Sequence, residues 1–67
     1  MKVSARNQLS GKITRIMKGA TTSHVSIDIG GKVITASITN EAVDDLNLKV
    51  GEAATAIIKA SDVMVGV

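Results

Sequence analysis

Not one Phe, Tyr, Trp or Cys occurs in the 67 residues of this chain, and no Pro either. The missing aromatics matter most, because they are the largest single contributors to a small core. The apolar share, 45%, consists of 8 Ile, 8 Val, 8 Ala, 3 Leu and 3 Met, all medium or small groups. A domain of this size keeps much of its surface wet, yet burial must offset the conformational entropy of every ordered residue. Alone, such a chain is marginal, and without cysteine no disulfide can staple it. The remaining devices are self-assembly and a bound ligand, so an oligomer is expected. Length allows one domain, residues 1–67.

The same absences exclude thiol redox chemistry, a Cys nucleophile and thiolate metal sites, and they suit a reducing compartment. No run approaches about 18 apolar residues, which excludes a membrane-spanning helix. The opening Met1-Lys2-Val3-Ser4-Ala5-Arg6 places polar residues where a secretory signal needs an apolar stretch. The expectation is a mature, soluble, cytoplasmic protein with no membrane partner.

Ile, Val and Thr make up 22 residues, and this β-branched excess favours strands. His24-Val25-Ser26-Ile27-Asp28-Ile29 alternates polar and apolar without a break, the period of a half-buried strand. Gly30-Gly31 follows as a hairpin turn, since both positions accept positive φ. Lys32 to Thr39 reads as the return strand, with Ile34, Ala36 and Ile38 on one face. Upstream, Leu9 to Lys18 reads as a strand with a bulge or bend at Gly11, and Lys18-Gly19-Ala20 as a turn. A short extended piece fits Val3 to Arg6.

One short helix is expected after the third strand. Asn40 is placed as its cap, Glu41 in its first turn, and Ala42, Val43 and Leu46 on one face. Asn47 to Gly51 reads as a loop, Ala53 to Ala60 as a fourth strand and Val63 to Val67 as a fifth. The fourth strand is small and apolar on both faces, which calls for neighbours on both sides, within one barrel or across a subunit boundary. Five strands with a helix between the third and fourth describe an all-β, OB-like barrel; an SH3-like barrel has the same periodicity.

Candidates for catalysis are few. His24 is the only imidazole and shares the solvent face of its strand with Ser26 and Asp28, the setting of an exposed surface histidine. One His without Cys cannot supply a common zinc set. Asp44 and Asp45 are neighbours on a short helix and point apart, as on a solvated face. The glycines form neither a dinucleotide fingerprint nor a phosphate loop. The expectation is a protein that is not an enzyme and needs no catalytic cofactor or directly ligated metal. A small OB-type module binding single-stranded nucleic acid is the alternative, but it leans on aromatic stacking platforms that this chain lacks, so no nucleic acid is expected.

Net charge is only +2, but six of the eight Lys and Arg lie in residues 1–33 with a single acid, Asp28. Complementary solvated halves and an anion site both fit this pattern. Ser4-Ala5-Arg6-Asn7-Gln8 gathers hydroxyl, guanidinium and amide donors, and Lys59-Ala60-Ser61 offers an ammonium, a hydroxyl and backbone N–H groups. On an extended backbone Ser4 and Arg6 project to one side. An ionised tetrahedral oxyanion has acceptors only, so both segments suit it. Equally, Asn7 and Gln8 could satisfy local backbone, with Arg6 and Lys59 as surface charges.

The run Ser4-Ala5-Arg6-Asn7-Gln8-Leu9-Ser10-Gly11-Lys12-Ile13 resembles the S-A-R-N-Q-x-x-G-x-[IV] opening of the molbindins, the Mop or TOBE-type molybdate-binding domains. Lys18-Gly19-Ala20, Ile38-Thr39-x-x-Ala42-Val43 and Ile58-Lys59-Ala60-Ser61-Asp62-Val63-Met64 continue the likeness across the chain. The resemblance implies a single Mop/TOBE-like oxyanion-binding domain: a five-stranded OB-like barrel in a homohexamer, a trimer of dimers. Molybdate or tungstate would be held between subunits, for intracellular storage or homeostasis. It implies an oxyanion site of Ser4, Arg6, Lys59, Ala60 and Ser61, to which Thr39 is added from its place at a strand end. A second class of oxyanion site is also implied, with Lys18, Gly19, Ala20 and Thr21 as its candidates.

Overall fold

The computed structural model describes residues 1–67. Four strands, β1 (Asn7–Lys18), β2 (Thr22–Asp28), β3 (Val33–Thr39) and β4 (Ala53–Ile58), form one antiparallel sheet in the order β3-β2-β1-β4. A single helix α1 (Asn40–Asp45) joins β3 to β4. The small all-β domain with one helix between the third and fourth strands is therefore as expected. The sheet is an open curl, because β3 and β4 are both edge strands and do not pair.

The fifth strand, Val63 to Val67, is a correction. Ala60–Asp62 form a 3₁₀ turn, Val63 leaves it extended, and residues 63–67 join no strand, with Met64 93% and Val65 91% exposed. β-branched residues favour extended backbone, but a strand also needs a partner edge, and none lies beside this tail in the chain. Likewise β4 stops at Ile58 rather than Ala60, and Val3 to Arg6 joins no sheet.

β1 carries the architecture. Its first half, Asn7 to Lys12, pairs β4 and its second half, Lys12 to Lys18, pairs β2. The bulge is not at Gly11 but between Ile13 and Arg15, where the register shifts by one residue. Gly11 marks instead the corner where β1 changes partners: a Cβ there would collide with the Asp28 carbonyl oxygen and lie 3.0 Å from Ile27 Cγ2. Backbone cannot yield as a side-chain tip can, so Gly11→Ala is expected to cost about 2–3 kcal/mol. A lower urea midpoint at unchanged slope checks this.

The β2–β3 hairpin turns as its glycines require, with φ of 101° at Gly30 and 96° at Gly31. Asp28 Oδ1 accepts from the N–H groups of Gly31 (2.8 Å) and Gly30 (2.9 Å), and these bonds hold its carboxyl below the ordinary aspartate range. The helix is capped by Thr39, not Asn40: Thr39 is extended and its Oγ1 accepts from the Ala42 N–H at 3.1 Å. Asn40 begins the helix, its side chain engaged instead by Ser23 and by the carbonyls of Gly19 and Ala20.

The inner face holds Ile13, Val25, Ile27, Val43 and Ala56, flanked by half-buried Leu9, Ile16, Ile34, Ala36 and Ile38. Only seven residues are fully buried in the chain by itself. The core is as undersized as the missing aromatics require.

Candidate functional site

The β1–β4 ladder begins at Asn7↔Ile58, so the residues that continue from it are Arg6 and Ser4 on one side and Lys59, Ala60 and Ser61 on the other. Two segments more than fifty positions apart in sequence thus leave the same end of the sheet side by side. Asn7 secures this end, its Nδ2 donating to the Ile58 carbonyl at 3.2 Å, while Gln8 Nε2 donates to the Ala5 carbonyl at 3.3 Å. Asn7 and Gln8 therefore do satisfy local backbone, the more modest of the two readings open from sequence. Buried Ala5 pins the segment between exposed Ser4 and Arg6.

Arg6 and Lys59 form no ion pair, since the single salt bridge joins Lys18 Nζ to Asp44 at 3.2 Å. The 3₁₀ turn after Lys59 is closed by Asp62 N–H to the Lys59 carbonyl and Val63 N–H to the Ala60 carbonyl. The amides of Ala60 and Ser61 have no acceptor in the chain. This end of the sheet thus presents two cations, two hydroxyls and two unengaged N–H groups, donors of the kind that a tetrahedral oxyanion accepts from. The hollows on the single chain are lined by other residues, so these donors face solvent with nothing opposite them.

Thr39 lies elsewhere. It pairs with Thr22 at the far end of β2, beside the Lys18–Thr21 turn. Between the two ends runs β1, about 36 Å if straight and comparable to the longest dimension of the molecule, 33 Å. Thr39 joins Ala20, Thr21, Asn40 and Glu41 around a hollow of about 410 Å³. Asn40 builds this end: its Oδ1 accepts from buried Ser23 Oγ at 2.5 Å, and its Nδ2 donates to the carbonyls of Gly19 (3.0 Å) and Ala20 (3.4 Å). With those carbonyls turned toward Asn40, the amides of Ala20 and Thr21 have no acceptor in the chain. Lys18 adds a cation, although Asp44 shares it and Glu41 sits at the rim. Asn40 went unassigned to this turn in the sequence because its partners lie about twenty positions away. No three His, Asp or Glu side chains gather as a metal cluster, and no helix is long and apolar enough to cross a membrane.

Comparison with known proteins adds a consistent result. The family model described as TOBE domain matches residues 3–65. The chain is 54% identical over 68 residues to the "Probable molybdenum-pterin-binding protein" of Haemophilus influenzae, covering 100% of this chain and 99% of that one. Among solved structures it superposes on MopII from Clostridium pasteurianum with a TM-score of 0.92 at 42% identity, covering 98% and 100% of the two chains. It matches a molybdate-binding protein from Sporomusa ovata with a TM-score of 0.92 at 37% identity, covering 97% of each.

Proposed function

The chain belongs to the TOBE-domain family, as a molbindin of the Mop type, and from that premise we propose that it binds molybdate between copies of itself and holds it in reserve. What supports this reading is the β1–β4 ladder end, from which Ser4 and Arg6 on one strand and Lys59, Ala60 and Ser61 on the other continue as neighbouring segments. Molybdate is a ligand here and not a catalytic cofactor. Arg6 and Lys59 offset its charge, Ser4 and Ser61 donate hydroxyl hydrogens, and the free amides of Ala60 and Ser61 supply fixed dipoles. Tungstate has the same charge and acceptors, and fits the same donors.

One chain leaves this donor set open to water, where such bonds are weak; a second copy closing over it raises their worth. The far pole, with Thr39 and the Lys18–Thr21 turn, is the part of a neighbour that can face it or form a separate oxyanion site of its own. Assembly also resolves the open sheet. An apolar groove of about 490 Å³ runs between the unpaired edges of β3 and β4, lined by Ile34, Ala36, Ile38, Leu46 and Ile57 among others. The groove and the unpaired Val63–Val67 tail are the surfaces we assign to contacts between copies, which complete the OB-like barrel and build a homohexamer. No step of this reading is catalytic. A cytoplasmic location accords with the related ModG, described as a cytoplasmic molybdate-binding protein.

Native mass spectrometry with and without molybdate tests the reading. Six chains per particle are expected, with bound ions appearing only on the assembled species. Monomers that retain the ion would overturn the intersubunit site. In calorimetric titration, excess sulfate should fail to displace molybdate, and equal competition would reduce the site to a generic anion patch.

A further inference from the structure

The outer, convex face of the sheet carries a group of polar side chains that the oxyanion site at the sheet end does not use. Arg15, Met17, His24, Ser26 and Thr35 line a hollow of about 210 Å³. Strand register explains the convergence: Arg15 lies opposite Ser26 on β2, Ser26 lies opposite Thr35 on β3, and Met17 lies opposite His24 in the next row. Directly opposed residues sit about 5 Å apart on a sheet face, close enough for three strands to touch one small ion. The bulge between Ile13 and Arg15 is what turns Arg15 to this face, since unbroken alternation from Lys12 would point it inward. The same shift brings Ile16 onto the inner face.

Each polar tip there is free. Arg15 has no carboxylate partner, and the side chains of His24, Ser26 and Thr35 make no hydrogen bond within the chain. The nearest acid on this face, Asp28, lies one row away opposite Lys12, with its carboxylate already engaged by Gly30 and Gly31. A guanidinium that can grip two oxygens, an imidazole and two hydroxyls around a hollow without carboxylates match a small oxyanion in size and in donors. The hydroxyls can also accept, so an anion that carries a proton is not rejected.

We propose that this hollow is a further binding site, distinct from both ends of the sheet, one per chain and built by one chain alone, for a tetrahedral oxyanion of the phosphate class. Free phosphate and the phosphoryl end of a larger molecule share this chemistry. The test uses the full, assembled protein at fixed pH and follows the His24 imidazole by NMR as inorganic phosphate is added, with phenyl phosphate in parallel. A saturable His24 shift is expected. Phenyl phosphate binding as tightly as the free ion assigns the hollow to a phosphoryl end, and weaker binding assigns it to the free ion.

Arg15→Ala should weaken the response about tenfold or more, and Arg15→Lys should recover part of it, because a point charge replaces the fork. Arg6→Ala should leave it unchanged. A His24 shift that never saturates, or one that Arg15→Ala does not alter, would overturn the site. So would a response lost in Arg6→Ala and kept in Arg15→Ala, which would return the anion to the sheet end.

Discussion

Arg6→Ala should weaken molybdate binding by about 10- to 100-fold and leave the particle at its original size. The magnitude is that of a hydrogen bond to a charged group, about 1.5–3 kcal/mol, removed from the proposed intersubunit site. Arg6 is exposed in the chain and makes no ion pair, so its loss strands no partner. The segment stays placed by buried Ala5 and by the Asn7 bond to Ile58. Lys59→Ala should act in the same direction but by less, as a flexible point charge gives way more cheaply than a planar fork. If both cations grip one ion, the double variant loses less than the two single losses added together, since the first removal already loosens the ligand. Calorimetric titration of the four proteins measures this. Strict additivity would put the residues on separate ions, and an unchanged affinity in Arg6→Ala would remove the sheet end as the site.

The parts of the structure legible in the sequence are those fixed by neighbours in the chain. The alternation from His24 to Ile29 and the Gly30-Gly31 turn follow from side-chain period and positive φ, and both stand in the structure. Errors arise where a distant contact decides. Thr39 and Asn40 are both good caps by type; Asn40 is drawn into the helix because Ser23, seventeen positions away, takes its amide oxygen. Gly11 is the stronger local signal for a bulge, yet the bulge falls after Ile13, and Gly11 serves the close crossing of Asp28.

The two donor segments of the proposed site show both sides of this limit. Their donor chemistry is visible in Ser4-Ala5-Arg6 and Lys59-Ala60-Ser61 taken singly. That they leave the same end of the sheet is a property of the β1–β4 register, which residue types do not encode. The same register puts Thr39 at the opposite pole of the chain, so only the Thr39 of a neighbouring copy could join them.

Deleting Val63–Val67 should break the assembly into smaller particles and lower the melting temperature. The tail is apolar and joins no sheet, and beyond half-exposed Val63 it stands in solvent, with Met64 at 93% and Val65 at 91% exposure. Facing it in character is the groove between the edges of β3 and β4, where Leu46 and Ile57 are left 67% and 43% exposed. Burying a Val or Met side chain is worth about 1.5–3 kcal/mol, so two such residues seated in a neighbour change an association constant by two orders of magnitude or more. Deletion removes that term from every interface at once, while the core cluster of Ile13, Val25, Ile27, Val43 and Ala56 remains. The melting temperature of the shortened protein should then rise with protein concentration over the range where copies still associate. Val65→Asp is the point variant: a carboxylate carried into an apolar groove has no partner there and should dissociate the particle without shortening the chain. Light scattering reads both. If the particle keeps its mass in each, the tail is not an interface, and the open edges of β3 and β4 must be covered by some other part of a neighbouring copy.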